Sequence, residues 1–448
     1  MKIKFKHMNK EAAKVVEKKY ILPFILLTSL FFLWGIANDL TNPMVSAFKK
    51  VMPELSNMEA ALVQLAFYGG YATMAIPAAL FIRKFSYKSG ILLGLALYAT
   101  GALLFIPAAK LEIFGFYLAS LYILTFGLAF LETTSNPYVL SMGSSETSTR
   151  RLNLAQTFNP LGSLLGMLGA QILVIKALSS DDYTTEAYQA LSAAKQASIR
   201  TDDLAVISTP YIALGLFVLL MLIVIALVKM PKKTDTHDTL NIRDTFNTLI
   251  RNKRYYEGVI TQIFYVAAQI MCWTFIYQYV ENINSARPAD AQLTATWYNM
   301  AAMIAFLLGR SAGTYLLKYV RPGQLMFYFA IAGMGFTAGA IFISGIVGLY
   351  SLVGISIAMS IMFPTIYGIA LKDMGDEAKL GSAGLVMAIV GGALMPPIQG
   401  SILDIGGPKF NDTLILGVPE VNFSFILPLI CLGVVAIYSY RAEKVHLK

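Results

Sequence analysis

Charged residues are scarce in this chain, and that scarcity limits what kind of protein it can be. Only 14% of the 448 residues are charged, whereas 56% are hydrophobic, and the mean hydropathy is +0.62. A soluble domain of this size needs more polar surface to face water. The composition therefore excludes a single soluble globule and predicts a chain whose solvent is lipid.

Cysteine and histidine are also rare, which narrows the possible chemistry. Cys272 and Cys431 fall within predicted membrane spans, so they provide neither a disulfide framework nor metal-ligand spacing. His7, His237 and His446 lie in the termini or in a central polar segment, which argues against a histidine proton relay. The sequence has no glycine-rich phosphate loop with its lysine, so we expect no cofactor and no direct use of ATP.

Long hydrophobic runs recur from one end of the chain to the other. A helix of roughly 20 apolar residues crosses the ~30 Å hydrocarbon layer with its backbone hydrogen bonds satisfied. We predict an all-α membrane protein with twelve transmembrane helices, at 20–44, 60–82, 89–109, 113–141, 152–176, 207–228, 256–280, 294–317, 324–346, 348–371, 382–404 and 423–440. The first run is too long for a signal-peptide core and is interpreted as a retained span.

The distribution of basic residues predicts the orientation. With the N-terminus inside, 26 of the 35 lysines and arginines fall in cytoplasmic segments, eight fall in external loops, and Arg310 lies inside the eighth span. This is the bias of the positive-inside rule. The net charge of +9 is thereby explained by topology, and no nucleic-acid partner is expected. We expect a multi-pass bacterial inner-membrane protein with both termini in the cytoplasm.

A polar stretch near the middle of the chain divides the spans into six and six. We predict a basic N-terminal segment (1–19), a first six-helix bundle (20–230), a cytoplasmic linker (231–254), a second bundle (255–441) and a tail (442–448). Tryptophan, lysine and proline landmarks recur in corresponding helices of the halves, as in the pairs Trp34 and Trp273 or Pro137 and Pro364. Two parallel halves are typical of the Major Facilitator fold, with a substrate site at mid-membrane between them.

Three ionisable residues, Asp39, Glu132 and Arg310, lie well inside predicted spans. Placing such a charged side chain at the centre of a membrane helix costs ~2.5–3.5 kcal/mol or more of insertion free energy. Each is therefore expected to face a bundle interior or a water-filled cavity. Glu132 follows an apolar stretch, and an acid group in such surroundings is suited to binding and releasing a proton. Arg310 stays charged, so it must be paired, hydrated or donating several hydrogen bonds; it could bind sugar hydroxyls, hold the carboxylate of the transport cycle or form a fixed pair between helices.

Uncharged polar and aromatic residues indicate the kind of ligand. Trp34, Asn38 and Asn42 share a stripe of the first span, with Asp39 at its border. A second group shares helical spacing in the fifth and seventh spans: Gln156, Asn159, Gln269, Trp273 and Tyr277. Amides donate and accept hydrogen bonds, and aromatic rings pack against the C–H face of a pyranose, so the combination suits a neutral sugar.

Four segments also carry a family resemblance: Phe31–Asn38 (FFLWGIAN), Leu131–Pro137 (LETTSNP), Arg151–Asn159 (RLNLAQTFN) and the Gly309–Thr314 turn. With these segments the chain resembles the L-fucose:proton symporter family of the Major Facilitator Superfamily over nearly its whole length. The resemblance implies that Glu132 is the carboxylate whose protonation is linked to sugar binding. It places around the central cavity Trp34, Asn38, Gln156, Asn159, Trp273 and Arg310.

The sequence departs from the family pattern at two positions. Asn42 stands where the family has a second carboxylate, and Asp39, one turn earlier, is a possible substitute. Phe363 stands where the family has a tyrosine, which removes a hydroxyl from the tenth helix. Both changes bear on the proton stoichiometry and on the choice of sugar.

The residues predict a transporter, not an enzyme, that moves a monosaccharide with a cation. The resemblance implies that it imports L-fucose or a related hexose with a proton, and that it is a monomer. One alternative is sodium-coupled symport of glucose, galactose, mannose or an amino sugar, with Asp39, Thr41 and Asn42 as oxygen ligands. A drug/proton antiporter would need a larger and more hydrophobic cavity than the rows of amide side chains predict. A sugar sensor would usually carry a signalling domain, and an integral-membrane enzyme would need a grouped nucleophile and base.

Overall fold

The computed structural model is almost entirely helical. It describes residues 14–41, 44–52, 54–55, 57–174, 177–183, 187–188, 190–231, 242–403, 405 and 413–446. Within these residues the helices of membrane-spanning length are predominantly apolar, which is typical of helices surrounded by lipid and by each other.

Twelve such helices are present in the described part of the chain, the number predicted. Those of the first half are α1 (Ile21–Thr41), α2 (Asn57–Lys84), α3 (Tyr87–Leu111), α4 (Phe114–Ser141), α5 (Ser145–Val174) and α6 (Ala193–Leu227). Those of the second half are α7 (Lys253–Asn284), α8 (Ala295–Leu316), α9 (Pro322–Phe342), α10 (Gly345–Ala370), α11 (Glu377–Leu403) and α12 (Glu420–Lys444). All but α8, which carries Arg310, are apolar enough to be recognised as spans by composition alone.

Several helix boundaries differ from the predicted ones, and two of these differences have a clear structural cause. Helix α6 begins at Ala193 instead of 207, because Ser192 caps it by accepting from the Lys195 amide and the next residues favour helix. Helices α9 and α10 meet at 343–344 instead of 347. Gly345 makes this turn with a φ of 72°, a conformation that glycine adopts without steric cost.

Several helices break near their middle. Helix α5 breaks at Thr157, between Ser148–Gln156 and Phe158–Gly169, and α7 breaks at Phe275, between Lys253–Thr274 and Ile276–Asn284. Helix α10 breaks between Gly345–Met359 and Met362–Ala370, and a 3₁₀ turn at Ala388–Val390 divides α11. Irregular backbone is tolerated at membrane depth where protein or a cavity surrounds it. These breaks therefore mark the interior of the molecule as the place to look for a site.

Short elements connect the spans. A helix at Met44–Val51 follows α1, and a second at Ile242–Arg251 precedes α7 within the predicted linker. The strands Leu414–Ile415 and Val418–Pro419 form a two-stranded antiparallel hairpin before α12. Residues 232–241 of the linker and the N-terminal residues 1–13 lie outside the described part of the chain.

The two halves meet at the end of the bundle where α6 ends and α7 begins, which we call the linker end. Ser145 Oγ donates to Asp373 Oδ1 at 2.5 Å, and Asn153 Nδ2 donates to Thr365 Oγ1 at 3.2 Å. Gly368 lies so close to Thr149 that a Cβ at position 368 would be 2.6 Å from the Thr149 hydroxyl oxygen. These contacts therefore close the molecule at the linker end.

Candidate functional site

A cavity of about 130 Å³ lies between the halves at the level of the helix breaks. This volume is far more than the ~10–15 Å³ that one water molecule requires. The cavity brings together nearly all of the residues singled out in the sequence: Trp34, Asn38, Asp39, Glu132, Gln156, Asn159, Gln269, Trp273, Arg310 and Phe363. Asn42 lies outside the described residues.

Helices α1 and α5 form one wall, and their backbones are in direct contact. A Cβ on Gly35 would lie 2.1 Å from the Asn159 carbonyl oxygen, and a Cβ on Gly162 would lie 1.9 Å from that of Phe32. Gly162 and Gly166 form a GxxxG pair, the usual solution for close packing in membranes. Asn159 Nδ2 donates to the Phe31 carbonyl at 3.1 Å. This packing places Trp34 and Asn38 beside the amides of α5.

Gln156 joins α5 to α4. Its Nε2 donates to Asn136 Oδ1 at 2.9 Å, and its side chain is almost fully buried. The bond fixes the amide at the cavity wall, where its remaining polar groups can meet a ligand.

Glu132 projects from α4 into the cavity. Tyr71 of α2 donates to Glu132 Oε1 across 3.5 Å, while Oε2 has no hydrogen-bond partner among the described residues. Helix α2 reaches this position because Gly70 packs against Thr125, where a Cβ would be only 2.7 Å from the threonine Cβ. Glu132 is thus a half-buried acid with one distant donor, and that donor is Tyr71 rather than Arg310.

Asp39 lines the same cavity, next to Tyr68. It is partly exposed and reaches the cavity from α1, whereas Glu132 reaches it from α4. The cavity therefore holds two partly exposed carboxyl groups.

The second half contributes an aromatic and amide wall. Trp273 Nε1 donates to Ser356 Oγ at 3.1 Å, and its ring packs edge-on against Phe306 at 5.2 Å between centroids. Gln269 lies one turn earlier on α7 and also faces the cavity. Phe363 packs against Tyr265 and Tyr367, with ring centroids 6.3 Å away in each case.

Arg310 is buried, with 3% of its surface exposed, and its donors go to main-chain carbonyls. Its Nε donates to the Ser360 carbonyl at 2.5 Å and its Nη1 to the Gln156 carbonyl at 2.9 Å. The guanidinium also lies 4.5 Å from the centroid of the Phe306 ring. Arg310 therefore links α8 both to α10 in its own half and to α5 in the other.

Tyr277 is a correction, because the structure places it outside the cavity. Its side chain is 41% exposed, and its hydroxyl accepts from Asn299 Nδ2 at 3.3 Å. The i, i+4, i+8 spacing from Gln269 assumed an unbroken helix, but α7 breaks at Phe275 and the break turns the following residues away. The spacing argument holds as far as Trp273 and fails beyond it.

Three polar atoms at the cavity are buried and have no hydrogen-bond partner in the described part of the chain: Trp34 Nε1, Asn38 Oδ1 and Glu132 Oε2. Unmet buried polar groups are costly, and a ligand carrying both donors and acceptors would satisfy them. Among the described residues no group of three histidine, cysteine, aspartate or glutamate side chains could hold a metal ion. The cavity is thus suited to a small neutral molecule rich in hydroxyl groups.

Comparison with known proteins identifies the family. The sequence profile of the Major Facilitator Superfamily matches residues 24–396. The chain belongs to this superfamily. It is 56% identical over 437 residues to an L-fucose-proton symporter of Haemophilus influenzae, covering 97% of this chain and 99% of the relative.

Two further matches show how far the likeness extends. The solved structure of the transporter FucP in the outward conformation is 32% identical and superposes with a TM-score of 0.82, over 95% of this chain and 99% of that one. A glucose/galactose transporter of Brucella abortus is 29% identical, over 96% of each chain. These relatives confirm a twelve-helix membrane transporter rather than an enzyme.

Sequence reasoning missed about half of the residues that line the cavity, including both of those on α2. The remaining cavity residues are Phe31, Tyr68, Tyr71, Ser163, Val266, Ile270, Met303, Phe306 and Ile389. The run Phe67-Tyr-Gly-Gly-Tyr71 carried a signal, because paired glycines between tyrosines predict close packing against another helix. The apolar cavity residues gave no such signal, since their sequence pattern is the same as that of any lipid-facing or core residue.

Proposed function

We propose that this chain imports L-fucose together with a proton. The single observation that carries the proposal is that Glu132, an acid without a strong partner, lies in the same cavity as amides and tryptophans suited to a sugar. The 56% identity to an L-fucose-proton symporter supports the same substrate and coupling ion.

We propose that the sugar hydroxyls bind the amides of Asn38, Gln156, Asn159 and Gln269, and that the rings of Trp34 and Trp273 pack against its C–H face. An aromatic face and bidentate amides are the common means of binding a neutral polyol. Phe363 adds apolar surface where a hydroxyl would otherwise contact the ligand, so it shapes specificity.

Protonation of Glu132 is the coupling step in this proposal. A neutral Glu132 favours the sugar-loaded protein that converts between outward and inward states, and loss of the proton inside favours return. The two states differ in affinity for proton and sugar, and this difference couples the gradients. Asp39 is the second candidate carboxyl, in place of the family acid that aligns with Asn42.

The proposed setting is the bacterial inner membrane, with the linker end and both termini in the cytoplasm and the protein acting as a monomer. The excess of basic residues in these segments supports this orientation. In that orientation the closed linker end makes the present conformation outward-facing.

The deciding experiment is flux in proteoliposomes that contain only this protein. An imposed pH gradient, alkaline inside, should drive labelled L-fucose above its external concentration in sodium-free medium, and a protonophore should abolish the accumulation. Accumulation that requires sodium and ignores the pH gradient would overturn proton coupling. If L-fucose only equilibrated across the membrane and never accumulated, the protein would be a uniporter and not a symporter.

A competition panel tests the sugar. Unlabelled L-fucose should compete with labelled L-fucose at lower concentrations than glucose, galactose or mannose. Stronger competition by one of these hexoses would replace L-fucose as the substrate without changing the transport mechanism.

A further inference from the structure

Prolines inside two broken helices each free one backbone carbonyl. In an α-helix the carbonyl of residue i accepts from the amide of residue i+4, and proline has no N–H to donate. Pro160 in α5 therefore leaves the Gln156 carbonyl without its helical partner, and Pro364 in α10 leaves that of Ser360. Both helices break next to these carbonyls.

Arg310 donates to both freed carbonyls. The bond from Nη1 to the Gln156 oxygen, 2.9 Å, crosses between the halves, whereas the bond from Nε to the Ser360 oxygen, 2.5 Å, stays within the second half. A buried charge is unfavourable unless its donors find acceptors. The prolines supply these acceptors, one from each half.

The neighbours of Arg310 fix it in this position. A Cβ on Gly309 would lie 2.7 Å from the Ile357 carbonyl oxygen, so glycine allows α8 to pack directly on α10. The Phe306 ring lies 4.5 Å from the guanidinium carbon and covers its face. Arg310 is therefore held by its surroundings before any ligand binds.

A parallel contact joins α4 and α11. Pro137 frees the Thr133 carbonyl in the same way, and Ser382 Oγ of the second half donates to it at 3.0 Å. Two separate contacts between the halves thus use carbonyls that prolines of the first half have released.

We propose that Arg310 is a positioning residue whose bond to the Gln156 carbonyl, here called the latch, stabilises the state with the linker end closed. The proposal rests on the alternating access proposed above. The halves cannot rearrange about α5 and α8 without breaking the latch. Lysine keeps the charge but, as a compact ammonium, cannot serve both carbonyls with the geometry of a guanidinium.

Distance measurements on the sugar-free protein test the latch. Spin labels at Ser144 and Asp376 flank the linker end, and the native Cys272 and Cys431 are buried, so labelling is confined to introduced cysteines. Pro160→Ala provides an amide that recaptures the Gln156 carbonyl, whereas Pro364→Ala recaptures only that of Ser360 and serves as the matched control. Arg310→Lys weakens the latch with both helix backbones unchanged.

Double electron–electron resonance in nanodiscs reports the ratio of open to closed linker ends. Pro160→Ala and Arg310→Lys should each raise this ratio about tenfold, as expected for a lost hydrogen bond to a charged group, and Pro364→Ala should change it less than twofold. The double variant should add little to either single change, because both remove the same bond.

Equal shifts in the two proline variants would overturn the latch, since they would report proline removal in general. An unchanged distance distribution in Arg310→Lys would also overturn it, and this variant decides the question if Pro160→Ala does not fold. If Arg310 were only a sugar ligand, Arg310→Lys would weaken L-fucose binding without changing these distances. The distance measurement uses neither sugar nor a proton gradient. A negative result would therefore overturn the latch alone, and the flux assay would still test proton-coupled transport separately.

Discussion

Glu132 is partly buried, has only a weak hydrogen-bond partner, and lies among amide and aromatic side chains suited to binding a sugar. The hydrogen bond that it accepts from the Tyr71 hydroxyl, at 3.5 Å, is too long to hold the carboxylate firmly. A strongly paired acid would keep one charge state throughout, whereas a weakly paired one can change state as the surroundings change. This residue is therefore the natural place for a proton to be bound and released.

Replacing Glu132 by glutamine tests that role. Glu132→Gln mimics the neutral acid and should abolish accumulation of L-fucose against its gradient while exchange of sugar across the membrane continues. Sugar affinity, measured by calorimetry across a pH series, should lose its pH dependence. Asp290→Asn, on an exposed loop, is the control and should behave like the native protein. Full gradient-driven accumulation by Glu132→Gln would remove this residue from the mechanism.

Trp273 and Tyr277 are one helical turn apart, yet only Trp273 faces the cavity. Trp273→Phe loses the indole bond to Ser356 and part of the aromatic face, so the KM for L-fucose should rise roughly tenfold. Tyr277→Phe should change the KM less than about twofold relative to the native protein, because among the described residues the Tyr277 hydroxyl is bonded to Asn299 and not to a cavity residue. Uptake kinetics of the two variants, side by side, measure the difference. Equal losses would place Tyr277 back at the site.

At the scale of elements, the contact between α1 and α5 builds the sugar-facing wall of the first half. Glycines on both helices bring the backbones together, and Asn159 bonds to the α1 backbone across the contact. Membrane helices gain little from hydrophobic association in lipid, so this close packing is what aligns the two rows of side chains.

One added methyl group should disrupt that alignment. In Gly162→Ala the new Cβ would lie 1.9 Å from the Phe32 carbonyl oxygen, so the helices must separate, at ~1–3 kcal/mol or more. The apparent melting temperature in detergent and the affinity for L-fucose should both fall. Gly169→Ala on the same helix is the control, since nothing lies within 4 Å of its added Cβ. Similar melting temperatures for the two variants would show that the contact is not tight.

At the scale of the whole molecule, closure of the linker end defines the present conformation. The contact between Gly368 of α10 and Thr149 of α5 leaves no space for a side chain. The halves must separate here for the cavity to open toward the linker end, so this contact is a point at which the equilibrium can be shifted.

Gly368→Val should bias the protein toward the state with an open linker end. The valine would overlap Thr149 in the closed state alone, so the long-distance population between labels at Ser144 and Asp376 should increase at least tenfold. Net uptake should fall because the outward-facing state becomes rare. Gly335→Val, where nothing lies within 4 Å, is the matched control. An unchanged distance distribution in Gly368→Val would contradict the proposed closure.

Much of the fold could be predicted because lipid imposes simple rules on a sequence. Length and apolarity of the runs gave twelve spans, and even α8 was found despite Arg310. Boundaries were harder, as the early start of α6 at Ala193 shows, since a polar helix extending beyond the membrane has no apolar signal. Within the site, the costly ionisable groups and the amides on shared helix faces were found, because their chemistry is unusual for a membrane interior.

The sequence by itself determined that the chain is a bundle of membrane helices and which polar residues had to be sheltered from lipid, since both follow from local composition and solvation. Only the tertiary structure decided what those residues touch. The break at Phe275 turned Tyr277 away, the glycines at 35 and 162 set α1 against α5, and Arg310 found two carbonyls that distant prolines had released. Such contacts depend on where separate helices meet, and no spacing within one helix encodes that.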